Sequence, residues 1–376
     1  MVKKLFVLTV GHPRYDTRIW VKEISTLIAA GFVVEYCVAD GLGDEIKNGV
    51  IIRDFGRIEE GGGAFRRFKT MLVSSMRCEA KRGDWIYFHD GIFLPFALIL
   101  ACSGRRIIYD VHEDFPRQIL NNRFPKWFKI LWSALISLME ACSGYFFKGF
   151  VAATPCIAKR FPSNKTITVS NFPLLEEFGE NYISQRDNDD ACYGVYIGML
   201  SEVRGLFEMI QAMGKINHKR DATLRLAGRF SPPSLESQIQ EVDGWDNVEY
   251  LGWIDRRGVV EQLREARFGL VVLHPVVNYI DAYPVKLFEY MAAGVPVIAS
   301  DFPLWREIVE KAGCGLMVDP LDHCSIADAI QCLCEDQNAA RTMGLKGQEA
   351  VRAKYNWENE GEKLVNFLCS IGAGST

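Results

Sequence analysis

Residues 269–303 admit few architectures. Residues 269–273 (GLVVL) are a short apolar run rich in β-branched side chains, suited to a buried strand. Residues 284–293 have the spacing of a helix, with Pro284 at its first turn, where a missing N–H costs nothing. Gly294 stands at the natural stop, and residues 295–299 (VPVIA) form a second apolar run. Strand, loop, helix and strand in that order make a parallel β-α-β unit, in which ligands sit beyond the carboxyl end of the first strand.

The chemistry-bearing residues fall on that loop and helix start. Unpaired N–H groups at a helix N-terminus attract phosphate. Lys286 lies in the first turn, where the helix dipole prefers an acid, so a cation there suits a bound anion. Glu289 lies one turn on, with Asp281 eight residues before it. A carboxylate is fitted to accept hydrogen bonds from a vicinal diol such as a ribose. The same spacing also suits a solvated helix face with an i, i+3 Lys–Glu pair.

The run PVKLFEYMAAGVPVIAS (284–300) resembles the acidic-x7-Glu segment of GT-B-fold retaining glycosyltransferases of the family 4 type. Glu289, Ala293, Gly294, Pro296, Val297, Ile298, Ala299 and Ser300 match that pattern, and Asp281 stands where the first glutamate is usual. The resemblance implies that Glu289 binds the donor ribose and that Asp281 faces the transferred sugar, from one methylene further back. Tyr283, just before this run, and Lys286, within it, fall among the implied donor-binding residues.

Composition bounds the class. The chain has 376 residues, 49% hydrophobic and 24% charged, enough for two ordinary globular domains. Eleven cysteines are scattered without paired metal spacing, which suggests a reducing, cytoplasmic setting; the closest pair, Cys332 and Cys334, points two ways on a helix. No signal peptide is expected, because Met1 leads straight into a strand, and the apolar stretches fall short of the ~18–20 residues of a membrane span. The net charge of −4 hides an asymmetry: residues 1–172 carry +8 and the remainder −12. A basic first half suits a reversible contact with an anionic membrane surface, and ordinary solubilising charge is the alternative. Nucleic acid is not an expected partner.

Along the chain, residues 4–10 read as a strand broken by Gly11, His12 and Pro13, a loop for phosphate or sugar. Asp16 and Arg18 open a helix. The H-P-x-x-D-x-R pattern resembles the first loop of these transferases, which makes Gly11 a donor-side residue and His12, Asp16 and Arg18 acceptor-side candidates. In isolation, Asp16 is equally a helix cap and Arg18 a surface residue. No G-x-G-x-x-G follows either early strand, which weighs against a dinucleotide oxidoreductase. Residues 65–72 and 123–150 mix cations with aromatics in the manner of surface-lying helices, or of core helices with snorkelling cations.

Residues 107–110 form a strand followed by His112, Glu113 and Asp114, ionisable groups better placed in a cleft than in a core. The run resembles the D-x-H-E segment of the same family, where the histidine approaches the donor sugar. The acidic, polar stretch 176–190 reads as the domain boundary. After the strand 193–197, a glycine loop carrying Arg204 makes a second phosphate site; Met199 stands where the family often has arginine, and Arg229 is the candidate to compensate. The strand ending at Ile254 resembles the one whose following backbone contacts the base.

The expectation is therefore an α/β protein of GT-B type, with two Rossmann-like domains facing across a cleft. Residues 1–175 would bind acceptor, 190–350 would bind nucleotide sugar, and 351–376 would form a terminal helix returning to the first domain. The implied activity is retaining transfer of a hexose-type sugar, UDP-sugar favoured over GDP-mannose, to a glycan or lipid-linked glycan in cell-surface polysaccharide synthesis. His112, Arg204, Lys286 and Asp281 are the catalytic candidates. No cofactor or metal is expected, since cations stand at the diphosphate. The expected location is cytoplasmic, peripheral on the inner face of the plasma membrane. The rival readings are a sugar-nucleotide epimerase or hydrolase of the same fold, and a non-catalytic nucleotide-sugar-binding subunit.

Overall fold

The structure, a computed structural model, describes residues 4–56, 80–120, 125–178, 192–216 and 222–373. The chain divides into two compact units, Met1–Asn171 with Asn359–Thr376, and Phe172–Glu358.

The first unit is built on eight strands: β1 (Lys4–Leu8), β2 (Val33–Val38), β3 (Glu45–Lys47), β4 (Val50–Asp54), β5 (Trp85–Phe88), β6 (Arg106–Val111), β7 (Gly149–Ala152) and β8 (Thr166–Thr168). Their order is β3-β4-β2-β1-β5-β6-β7-β8, with every neighbouring pair parallel except the β3–β4 hairpin. Parallel strands are covered on both faces, which is why they read as continuous apolar runs; Phe6, Val7 and Leu8 have no exposed surface. The strand order reverses between β1 and β5, where ligands of such sheets bind. The helix Trp357–Ala373 packs on this unit. Glu360 accepts from the backbone N–H of Ser170 (2.8 Å), and a Cβ on Gly149 would meet the Phe367 ring at 2.9 Å.

The second unit holds β9 (Cys192–Ile197), β10 (Ala222–Ala227), β11 (Val248–Gly252), β12 (Phe268–Val271), β13 (Val297–Ser300) and β14 (Gly315–Val318). They are all parallel, in the order β11-β10-β9-β12-β13-β14. This is the 3-2-1-4-5-6 doubly wound order, with its switch point between β9 and β12. The helix Val285–Ala292 starts after Pro284 and stops before Gly294, which takes φ 66. At the mouth of β9, Gly205 (φ 72) is required: a Cβ there would lie 2.0 Å from the carbonyl of Val272.

Three expectations are corrected. Residues 172–175 and 351–358 belong to the second unit, because Phe172 packs on Phe288 (4.6 Å between rings) and Tyr355 (5.4 Å), and Trp357 N–H donates to Pro173 O (2.8 Å). The cysteines are not all unpaired: Cys192 at the start of β9 is bonded to Cys334, 142 residues away. The strand of the central unit ends at Val271, two residues before the apolar run does. The aromatic and basic segment 65–72 lies outside the described residues, as do 121–124 and most of the 176–190 boundary.

Candidate active site

The second switch point gathers cations. Gly198 directly follows β9 with φ 141, and a Cβ there would stand 3.2 Å from Lys286 Nζ and 3.7 Å from an Arg204 nitrogen. Glycine thus lets the two cations approach one backbone turn. Lys286 Nζ lies 3.6 Å from the centre of the Tyr196 ring and has no hydrogen-bond acceptor among the described residues. Burial, then the neighbouring Arg204, holds its pKa well below the ordinary lysine value. Burial also acts to lower Arg204, but the phenols of Tyr196 and Tyr279 outweigh it and the guanidinium is held above its usual value. The Tyr196 hydroxyl donates to Met199 O (2.9 Å), and the Tyr290 hydroxyl accepts from Ile197 N–H (3.0 Å), fixing the loop.

Beside these cations lies a cavity of about 560 Å³, lined by residues that include Gly198, Met199, Arg229, Trp253 and Ile254. Arg229 is exposed and stands 5.8 Å over the Trp253 ring, so it reaches the cavity that Met199 also borders. Glu289 is not paired with Lys286; it takes Arg256 (2.5 Å), whose other arm holds Glu177. Asp281 is exposed at the end of the short helix Val277–Ile280. The Tyr283 ring packs against Phe172 and Phe288, each at 5.8 Å.

The first switch point is arranged differently. Asp90, just past β5, accepts from Thr9 Oγ1 (2.9 Å) and from Val10 N–H (2.6 Å), and its other oxygen lies 3.2 Å from His12 Nδ1. Gly11 is required by this contact, since a Cβ would lie 2.6 Å from that oxygen. The bond to Asp90 raises the His12 pKa. The His112 ring is 5.3 Å from that of His12, and burial holds its pKa well below the histidine value.

One acceptor-side expectation, Arg18, is corrected here, and Asp16 has a local structural role. Asp16 caps the π-helical segment Thr17–Ile24, accepting from Arg18 N–H (2.8 Å) and Ile19 N–H (3.0 Å). Arg18 is buried, with Nε on Glu23 (2.9 Å) and one arm on Asp110 (3.1 Å), so it is an internal ion-pair residue with no surface for an acceptor. Glu23, His89, Asp110 and His112 can bring donor atoms within 4.8 Å of one another, but the Arg18 guanidinium already sits on both carboxylates. Burial and the neighbouring Asp110 push the Glu23 pKa well above the carboxylate range, so Arg18 and Asp110 are the charged pair of this network. His89, Asp90 and Arg256 went unseen in the sequence. For the first two the available signal was their place directly after β5, beside the opening strand.

Residues 180–350 match the family model for glycosyl transferases group 1. Through this segment the chain is similar to the glycosyl transferases group 1. Among curated relatives of this group, it is 28% identical over 184 residues to a phosphatidyl-myo-inositol mannosyltransferase of Mycobacterium leprae, covering 48% of this chain and 47% of that protein. It is 36% identical over 89 residues to a GDP-mannose-dependent alpha-(1-6)-phosphatidylinositol monomannoside mannosyltransferase of Mycobacterium tuberculosis, covering 24% and 23%. The chain thus spans about half the length, or less, of these curated relatives. Among solved structures, sucrose-phosphate synthase from Thermosynechococcus elongatus superposes with a TM-score of 0.78 at 19% identity over 100% of both chains. The Anabaena HepE complex with UDP superposes at 0.71 and 15% identity, over 98% of this chain and 100% of that one. At these identities the likeness shows the fold, which is GT-B.

Proposed function

We propose that the chain transfers a hexose-type sugar from a nucleotide sugar, with retention and without a metal ion, to a glycan or lipid-linked glycan. The observation that carries this reading is the pair Arg204 and Lys286 against Gly198, two cations without a carboxylate partner among the described residues, beside a cavity of about 560 Å³. A diphosphate supplies the counter-charge. In the reaction an acceptor hydroxyl attacks the anomeric carbon, the bond to the diphosphate oxygen breaks, and the hydroxyl proton passes to the departing phosphate on the same face. The charge that grows on that phosphate is met by the two cations. Glu289 takes the ribose diol once Arg256 yields it, and Arg229 with Trp253 borders the base. Asp281 and His112 act on the transferred sugar.

UDP is the favoured carrier. GDP-mannose is the second reading, supported by the donor named for the Mycobacterium tuberculosis relative. The experiment is a thermal-shift panel of UDP and GDP, followed by donor consumption with and without a lipid-linked acceptor. Stabilisation by one diphosphate, with turnover only when acceptor is present, is the expected result. Turnover without acceptor marks an epimerase or hydrolase, and binding with no turnover marks a sensor subunit.

The acceptor side is proposed to touch an anionic membrane reversibly, at a cytoplasmic face. The helix Lys126–Phe146 supports this, with Trp127 (68%), Leu131 (62%) and Tyr145 (86%) exposed. Among the described residues no helix is long and apolar enough to cross a membrane.

A further inference from the structure

His89 is fully buried beside His112, and the transfer chemistry does not use it. Its Nδ1 lies 3.0 Å from His112 Nε2, a hydrogen-bond distance that requires one hydrogen between the two nitrogens. The surrounding charges decide which ring carries it. Asp110 is ionised: Arg18 contacts both its oxygens (3.1 and 3.2 Å), and the Tyr87 hydroxyl donates to one of them (2.5 Å). Asp110 Oδ1 is 3.4 Å from His112 Nε2, and Glu23 Oε2 is 3.6 Å from His89 Nε2. Were the hydrogen on His89 Nδ1, the His112 Nε2 lone pair would face the ionised Asp110 Oδ1. With the hydrogen on His112 Nε2, that oxygen meets an N–H instead, and the other Asp110 oxygen is farther from His89 Nδ1, at 3.7 Å. In a neutral imidazole the bond made by one nitrogen sets the state of the other.

We propose that His89 is a positioning residue that holds His112 as its Nε2–H tautomer, leaving Nδ1 as a hydrogen-bond acceptor for a sugar hydroxyl. The identity of that ligand rests on the transferase reading; the tautomer does not. The groups facing the pair are Glu23, Asp110, Arg18, Tyr87 (4.7 Å between its ring and that of His89) and His12. Asp110 alone does not hold the tautomer, because 3.4 Å exceeds the usual N–H···O range. His112 therefore discriminates by accepting: a substrate whose hydroxyl is replaced by a group with no hydrogen to donate loses the contact.

The test is nitrogen-15 NMR of the histidine side chains in the full-length protein at neutral pH, which reads each ring nitrogen as protonated or bare. His112 is expected with Nε2 protonated and Nδ1 bare, and His89 likewise. His89→Gln, whose amide oxygen can accept from His112, should keep this state. His89→Leu, with no acceptor, should leave His112 in both tautomers and lower kcat about tenfold with little change in KM, since only orientation at the reacting centre is lost. The proposal is overturned if His112 carries its proton on Nδ1 in the native protein, or if His89→Gln reverses the tautomer. It also falls if His89→Leu leaves Nε2 wholly protonated; a loss of kcat in that case is structural. Lack of transferase activity with the expected tautomer intact would strike the transferase reading alone.

Discussion

Replacing Lys286 by methionine should make the protein more stable and the donor site useless at once. Nζ is shielded from water, has no acceptor among the described residues, and stands with Arg204 against one glycine. A buried polar group left unsatisfied costs about 1–3 kcal/mol, and methionine keeps the shape without the charge. For a unit the size of Phe172–Glu358 each kcal/mol moves Tm by about 2–4 °C, so the variant should melt roughly 2–12 °C higher without nucleotide. With UDP at about 100 times its Kd, the wild type gains about 2.7 kcal/mol. Losing a charge-assisted contact worth about 1.5–3 kcal/mol reduces that gain to about 0.3–1.3 kcal/mol at the same concentration. Differential scanning fluorimetry of both proteins, with and without UDP, measures all four values. A lower Tm for the variant without nucleotide would show that Lys286 has a stabilising partner. An unchanged UDP shift would place the diphosphate elsewhere. The depressed pKa adds a sign: bound diphosphate restores the ammonium, so binding takes up a proton and weakens as pH rises through that depressed value.

Glu289→Gln should weaken UDP binding several-fold, less than the full ~1.5–3 kcal/mol of a charged acceptor, because the wild type must first release Arg256; calorimetry checks this, and an unchanged affinity would move the ribose site. His12 should titrate above the usual ~6.5, because Asp90 bonds its charged form. Its contribution to stability is full below ~6.5 and is lost as pH rises through the raised folded value; proton NMR should show the titration falling in Asp90→Asn. The protein should sediment with anionic vesicles at low salt and release as salt rises, over a Debye length of ~8–10 Å, and Trp127→Ser with Leu131→Ser should weaken the attachment. Retention in the supernatant at low salt would remove the membrane from the reading.

How much of this was legible in the sequence follows from where each interaction is local. The β-α-β core around Lys286 and Glu289 was readable because apolar runs, Pro284 and Gly294 are local signals of strand, helix start and helix stop. Arg204 and Ile254 were readable from the family pattern, and the structure places Ile254 on the cavity and Arg204 beside Gly198. The pairing of residues distant in sequence was not readable. Arg256 meets Glu289 and Glu177 across 33 and 79 residues, and His89 meets His112 across 23. Arg18 was misread because its partners Glu23 and Asp110 lie on different elements, and only the fold shows that both face it. The Cys192–Cys334 bond escaped notice for the same reason.

The two switch points treat charge in opposite ways, and this is what separates their chemistry. In the first unit several cations are answered from within: Arg18 by Asp110 beside Glu23, Arg14 by Asp40 and Glu45, His12 by Asp90. A site neutralised in that way suits hydroxyl ligands, which need directed hydrogen bonds and bring no charge. In the second unit Glu289, the carboxylate nearest in sequence to Lys286, is turned to Arg256, and Lys286 and Arg204 face phenols. Buried cations are costly until an anion pairs with them, so the proposed diphosphate would contribute its stabilisation there. In the proposed transfer, a sugar diphosphate carries less charge than the diphosphate released from it, so the cations would grip the departing group more tightly as the bond lengthens. On that reading the difference between substrate and transition state, not the tightness of donor binding, would accelerate transfer.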